Sequence, residues 1–258
     1  MDTQEWWGFF QNASRLGYGA ACRITLFPPI VSAMYRLYHH PLNGFCRKLR
    51  LLLAEKNIPC ELVSEKPWEQ RPEFAALNAA GEVPVLVVVD GGVERILADS
   101  VAISEYIEET SSRVPMLGAT PEARAEVRRL VGWFERKFYD EVTRYIVDEK
   151  AFKRLMGAGN PDSQALRAGY ANIHYHLDYI GYLTERRNWL AGDHLTLADL
   201  AAAAQLSSVD YLGDVPWAEH VGARDWYARI KSRPSFRPLL ADHVNGLPPP
   251  PHYADLDF

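Results

Sequence analysis

The sequence predicts an α/β domain followed by an all-helical one, and three observations carry that prediction. Residues 81–104 run as a short apolar strand, a tight turn, a second strand and a capped helix. Upstream of them an amphipathic helix lies between two more short strands. Beyond residue 119 the apolar residues recur at steps of three and four, the helical period. A length of 258 residues leaves room for one large domain or two small ones.

Residues 1–33 stand apart from this pattern. They hold Trp6, Trp7, Phe9 and Phe10, then Phe27-Pro28-Pro29-Ile30. No basic start precedes a continuous apolar core, so a secretory signal is not indicated. Asp2, Glu5, Arg15 and Arg23 give no basic face for a membrane surface. The expectation is an extra N-terminal segment from a misassigned start, with translation beginning at Val31 or Met34.

The first domain is placed at 34–112. Residues 35–39, Tyr-Arg-Leu-Tyr-His, read as the first strand, and 40–44 as a loop. A helix follows over 45–56, with Leu49, Leu52 and Leu53 on one face; Asn57 and Pro59 end it. Residues 60–63 form a second strand, parallel to the first through a right-handed crossover. Pro67-Trp68-Glu69 belongs to a connection leading to residue 81. Residues 85–89 are apolar and β-branched, as in a strand covered on both faces. Asp90-Gly91-Gly92 turns the chain, because Asp and Gly tolerate positive φ. Residues 93–97 return as the fourth strand. Asp99 or Ser100 caps a helix carrying Val101, Ile103, Tyr106 and Ile107. The order β-α-β-α-β-β-α is that of a thioredoxin-like domain.

After a linker rich in turn formers, the helical domain spans 119–244. Thr120 is an N-cap, with Pro121 at the first helical position. Val127, Leu130, Val131, Phe134, Phe138 and Val142 share one face. A second long helix covers 162–186, with Leu166, Tyr170, Ile173, Leu177 and Ile180 inward. Thr196 and Asp199 have the spacing of a capping box. The small residues after them suit a helix packed on all sides. Residues 245–258 form a proline-rich tail: Pro248 to Pro251 predict extended polyproline II, then acidic and apolar residues alternate. Tyr253, Asp255, Leu256, Asp257 and Phe258 there make a candidate recognition surface.

A net charge of −5 does not suggest a nucleic-acid binder. No apolar run reaches membrane-spanning length. Cys22, Cys46 and Cys60 have neither metal nor disulfide spacing, and a reducing compartment fits them best. His174 and His176, two apart on a helix, do not share a face as metal ligands would, so no metal is expected. Adjacent His39 and His40 point to opposite sides of a strand, one packed and one at the surface.

The unit built on Val83, Pro84, Asp99 and Ser100 suits a small anionic peptide. A backbone N–H freed just before a strand can pair with an extended ligand, and a helix N-terminus with a hydroxyl favours a carboxylate. Residues 38–58, 77–92, 97–109 and 192–207 are similar to the glutathione transferase family. The resemblance covers about residues 34–240. It implies that Pro84 is cis, and that Asp99 and Ser100 hold the γ-glutamyl group of glutathione, as ligand or substrate. No other cofactor is implied.

Where the family's thiol-activating hydroxyl is expected, this chain has Asn43, whose amide is a weaker donor. Activation of a thiol is therefore in doubt, and the reading leans away from an enzyme. Cys46, near a helix start, is read as core rather than nucleophile. Trp68 is either a lid over the core or a binding anchor. Through the Trp68 segment and the ending HYADLDF, the resemblance extends to division adaptors within the family. That implies a cytoplasmic homodimer at the division site, binding and bending FtsZ filaments and regulating constriction. The alternative is a glutathione S-transferase acting on small electrophiles.

Overall fold

The computed structural model describes residues 33–256. The expected start site at Val31, the segment before it, and Asp257 and Phe258 lie outside the described residues.

Four strands, β1 (Met34–His39), β2 (Cys60–Ser64), β3 (Val85–Asp90) and β4 (Val93–Ala98), form one sheet in the order β2-β1-β3-β4. β1 and β2 are parallel; β3 is antiparallel to both β1 and β4. The parallel pair requires a crossover, which α1 (Gly44–Glu55) supplies. Helix α2 (Pro72–Leu77) leads into the cis peptide Val83–Pro84, and α3 (Ser100–Thr110) closes the unit. β3 is central, so Val85 to Val88 are buried; β4 is the edge and leaves Val93 and Ile96 exposed. Val101, expected with the inward residues of α3, is exposed, while Ile103 and Ile107 are buried. The expected thioredoxin-like domain is thus present.

The helical domain begins at α4 (Pro121–Gly132), capped by Thr120, whose hydroxyl accepts the Ala123 N–H at 3.2 Å. The same rod continues with π-type bonding over Trp133–Phe152 and ends in α5 (Lys153–Met156). It is followed by α6 (Ser163–Thr184), α7 (Leu197–Asp210), α8 (Val221–Lys231) and α9 (Arg237–Leu240). Helix α7 is buried along its whole length. Its capping box closes as expected: the Thr196 N–H donates to Asp199 Oδ2 at 2.9 Å. The other oxygen of Asp199 accepts from the Leu190 N–H and the Trp226 indole.

Helix α1 joins the two domains. A Cβ at Gly44 would lie 2.6 Å from the Gln205 side chain of α7, so the close approach of α1 to α7 requires glycine there. Its leucines face the core, but its cationic face is not solvated. Lys48, Arg50 and Lys56 are buried and meet Glu135, Asp242 and Glu108 at 2.8, 2.7 and 2.8 Å.

Two expectations need correction. His39 and His40 are both buried, because the helical domain covers the side of the strand end that was expected at the surface. The tail begins with a turn at 245–246 and Pro250 is extended, but Pro251–Ala254 tightens into a 3₁₀ turn that drives Tyr253 into the core at 0% exposure. The Tyr253 hydroxyl accepts from Arg47 Nη1 at 2.9 Å and donates to the Leu239 carbonyl at 3.2 Å. Tyr253 is therefore a strap for the tail and is not presented to a partner.

Candidate functional site

A cleft of about 750 Å³ opens between the two domains. The first domain contributes the β1–α1 loop with His40 and Asn43, the turn Pro67–Glu69, and the segment ending at Val83 and Pro84. Asp99 and Ser100 also line it, at the start of α3. The helical domain contributes Tyr139, Asp148, Phe152 and Met156. The structure thus brings Asn43, Trp68, Val83, Pro84, Asp99 and Ser100 to one site. Of the expected tail residues, Tyr253 is withdrawn into the core, while Asp255 and Leu256 are exposed.

Asn43 is the N-cap of α1. Its Oδ1 accepts the Cys46 N–H at 3.0 Å, which leaves the amide NH₂ as the donor this position can offer. Cys46 is fully buried, and burial pushes its thiol up to about 12. It is held as a protonated core residue, without the thiolate that a nucleophile needs. Burial, and then the neighbouring Arg47, push the His40 imidazole down to about 4, so it is neutral at physiological pH. Its ring packs on Phe152 at 5.0 Å and edge-on to Trp68 at 5.3 Å. Trp68 lies 6.0 Å from Phe152 as well, so this half-buried indole bridges the domains at the cleft mouth. His174 and His176 separate, as expected: His174 meets His220, and His176 lies between the Trp133 indole and Glu141.

The α3 N-terminus is arranged as a cap first. Asp99, at φ 77°, accepts the N–H groups of Val101 and Ala102 at 2.8 and 2.9 Å. Ser100 is buried, and its hydroxyl donates to Glu135 Oε1 at 2.7 Å. The same oxygen takes Lys48 Nζ at 2.8 Å. A hydroxyl so committed has no proton left for a ligand carboxylate, and the Glu135 charge beside it opposes one. Charge along the cleft points the same way. Glu82, Asp99 and Asp148 line it, and among the described residues no lysine or arginine does.

Asp148 is the partly buried acid of the three; Glu82 and Asp99 are exposed to solvent. Burial pushes its carboxyl up to about 6, against the pull of the Tyr139 hydroxyl at 3.5 Å and of Arg144. Among the described residues no cation lies within ion-pair distance of it. The ring of Tyr139 packs on Phe45 at 5.1 Å. Sequence reasoning missed Glu135, Tyr139 and Asp148. A signal existed for Glu135, which is in phase with Val131, Phe138 and Val142, the apolar stripe of its helix.

Comparison with known proteins agrees with this architecture. Residues 44–110 match the glutathione S-transferase N-terminal domain profile, and 174–234 match the C-terminal domain profile. The chain is 48% identical over 222 residues to FtsZ-localized protein A of Caulobacter vibrioides, covering 86% of this chain and 97% of that one. A crystal structure described as a glutathione S-transferase from Rhodospirillum rubrum F11 is 52% identical and superposes with a TM-score of 0.84. The structure of FzlA from C. crescentus is 48% identical, with a TM-score of 0.86. Each of the two covers 87% of this chain and is itself covered completely. Fold, motifs and relatives agree: the chain belongs to the glutathione S-transferase family.

Proposed function

We propose that this protein is a glutathione-transferase-like adaptor that binds FtsZ filaments, promotes their curvature and regulates cell constriction. The observation that carries the reading is the 48% identity, over nearly the whole of both chains, to a protein named for its localisation with FtsZ. The cleft supports it. Ser100 is committed to Glu135, Asn43 stands where a hydroxyl would activate a thiol, and the lining acids oppose an anionic tripeptide. In this reading the protein acts in the cytoplasm at the division site as a homodimer. The first domain of one protomer pairs with the second domain of the other. Two identical faces then hold two filaments, or two points along one, and effective concentration strengthens weak single contacts.

The partner face consists of Trp68, the loop 40–44, and Asp255, Leu256, Asp257 and Phe258, with Tyr253 as the strap behind them. Arg47 links these parts. It donates to the Pro41 carbonyl at 2.5 Å, to Ser207, and to Tyr253. One guanidinium thereby ties the loop and the tail to the buried α7.

Co-sedimentation with GTP-polymerised FtsZ tests the reading. The intact chain should pellet with filaments, and a chain lacking residues 255–258 should stay in solution. If neither pellets, the adaptor reading falls. The second reading, conjugation of glutathione to small electrophiles, is favoured by the cis Val83–Pro84 peptide and the adjoining Asp99–Ser100 cap. It requires retention on a glutathione resin that is lost on changing Asp99 or Ser100.

A further inference from the structure

The cleft is built for the opposite charge to glutathione. Among the described residues its lining includes three carboxylates and no lysine or arginine. His40 carries no charge at neutral pH, so it does not offset them. Glu82 and Asp99 are exposed to solvent, and Asp99 also accepts two helix N–H groups. Asp148 has only the distant Tyr139 hydroxyl and the field of Arg144, whose side chain is not within ion-pair distance. A partly buried carboxylate without an ion-pair partner is costly unless a ligand completes it. The surrounding groups suit a planar or alkyl cation. Phe45 and Tyr139 pack together at 5.1 Å, Trp68 and Phe152 at 6.0 Å, and aromatic faces attract guanidinium and ammonium groups. Beside them, the backbone N–H and carbonyl of Val83 have no hydrogen-bond partner among the described residues. Unpaired main chain next to a strand can be matched by an extended segment.

We propose that the cleft receives an arginine or lysine side chain carried on an extended segment of a partner protein. Asp148 is its counter-charge, the paired aromatic rings form its walls, and Val83 is the main-chain anchor. The inference rests on the reading of the cleft as a partner-contact surface and names the chemistry of that contact. The occupant is a segment rather than a free amine, because the counter-charge and the unpaired main chain line the same cleft.

Isothermal titration of the full chain tests this with three probes: acetyl-Leu-Arg-Leu-amide, the same peptide with citrulline for arginine, and n-butylguanidinium. Citrulline keeps the shape and removes the charge. The arginine peptide should bind about tenfold more tightly than the citrulline one, the worth of one hydrogen bond to a buried charge. Asp148→Asn should bring the two together, and n-butylguanidinium should bind more weakly than the peptide. Equal binding of the two peptides to the unmodified chain overturns the inference, as does binding of neither. A preference that survives in Asp148→Asn overturns the role of Asp148. Butylguanidinium binding as tightly as the peptide overturns the extended segment. The peptide comparison on the unmodified chain stands even where Asp148→Asn folds poorly. Filament pelleting without an arginine preference removes this inference and leaves the adaptor reading; the reverse result removes the adaptor reading alone.

Discussion

Glu135 and Asp148 occupy the same π-bonded stretch of one helix and serve the same interdomain space, yet their surroundings differ. Glu135 is nearly buried, and its Oε1 takes both the Lys48 ammonium and the Ser100 hydroxyl from across the domain boundary, while its Oε2 has no hydrogen-bond partner among the described residues. Asp148 is half-buried, lines the open cleft, and has no cation at ion-pair distance among the described residues. The difference teaches which acid belongs to the scaffold. Glu135 takes the Ser100 hydroxyl and the Lys48 ammonium together and so joins the two domains. Asp148 is left for something that arrives.

If that contrast is right, the largest effect falls on the joint. Lys48→Met leaves Glu135 as an uncompensated buried charge and should cost about 3–5 kcal/mol in urea unfolding. The double change Lys48→Met with Glu135→Leu removes both charges and should recover most of that loss. A single-variant cost below about 1 kcal/mol, in the range of an exposed pair, would break the comparison by showing that water reaches Glu135.

Next in size is the strap that holds the tail. Tyr253→Phe leaves Arg47 Nη1 short of one acceptor and the Leu239 carbonyl short of one of its donors, the Asp242 N–H remaining. Stability should fall by about 1–3 kcal/mol. Amide exchange should rise at residues 250–256 and in the loop 40–44, because Arg47 binds both. Unchanged exchange in the loop would show that the tail and the Trp68 face are held independently.

What the sequence disclosed, and what it did not, follows from the range of each interaction. The caps at Thr120, Asp162 and Thr196 act over two or three residues, so residue type and spacing are enough to place them. The hairpin of β3 and β4 and the buried α7 were legible for the same reason. Tyr253 was not, because its burial depends on Arg47, 206 residues earlier in the chain. Composition shows a proline-rich tail but not the one aromatic that turns inward. His40 was placed by strand alternation, which describes the sheet but not the helical domain laid against its edge. Lys48 looked like one more cation on an amphipathic helix. Only contact with Glu135, itself in phase with an apolar stripe, makes it a joint. Asp148 carried no local mark, since its isolation is a property of the assembled cleft.

The smallest effect is the most discriminating, because its sign is opposite to that of the others. The Asp148 carboxyl is raised from 3.8 to about 6 by burial. The folded chain therefore holds its proton more tightly than the unfolded chain does. The associated stability is fully present below pH 3.8 and is lost as pH rises through about 6. At neutral pH the ionised side chain is a net cost, and Asp148→Asn should stabilise the protein by about 1–2 kcal/mol, allowing for water in the open cleft. Near pH 4 most of the gain should disappear, since Asp148 is then protonated in the folded chain. Tyr139, Arg144 and Glu149 on the same segment, and the lining groups His40, Glu82 and Asp99 from the first domain, remain in both proteins. Their titration therefore cancels in the difference between the two urea midpoints. A loss of stability at pH 7 would mean that Asp148 has a hidden structural partner, and the distinction from Glu135 would collapse. A gain at pH 7 that fades with acid identifies a charge kept in the cleft at the expense of the fold, which is the physical mark of a residue held for binding.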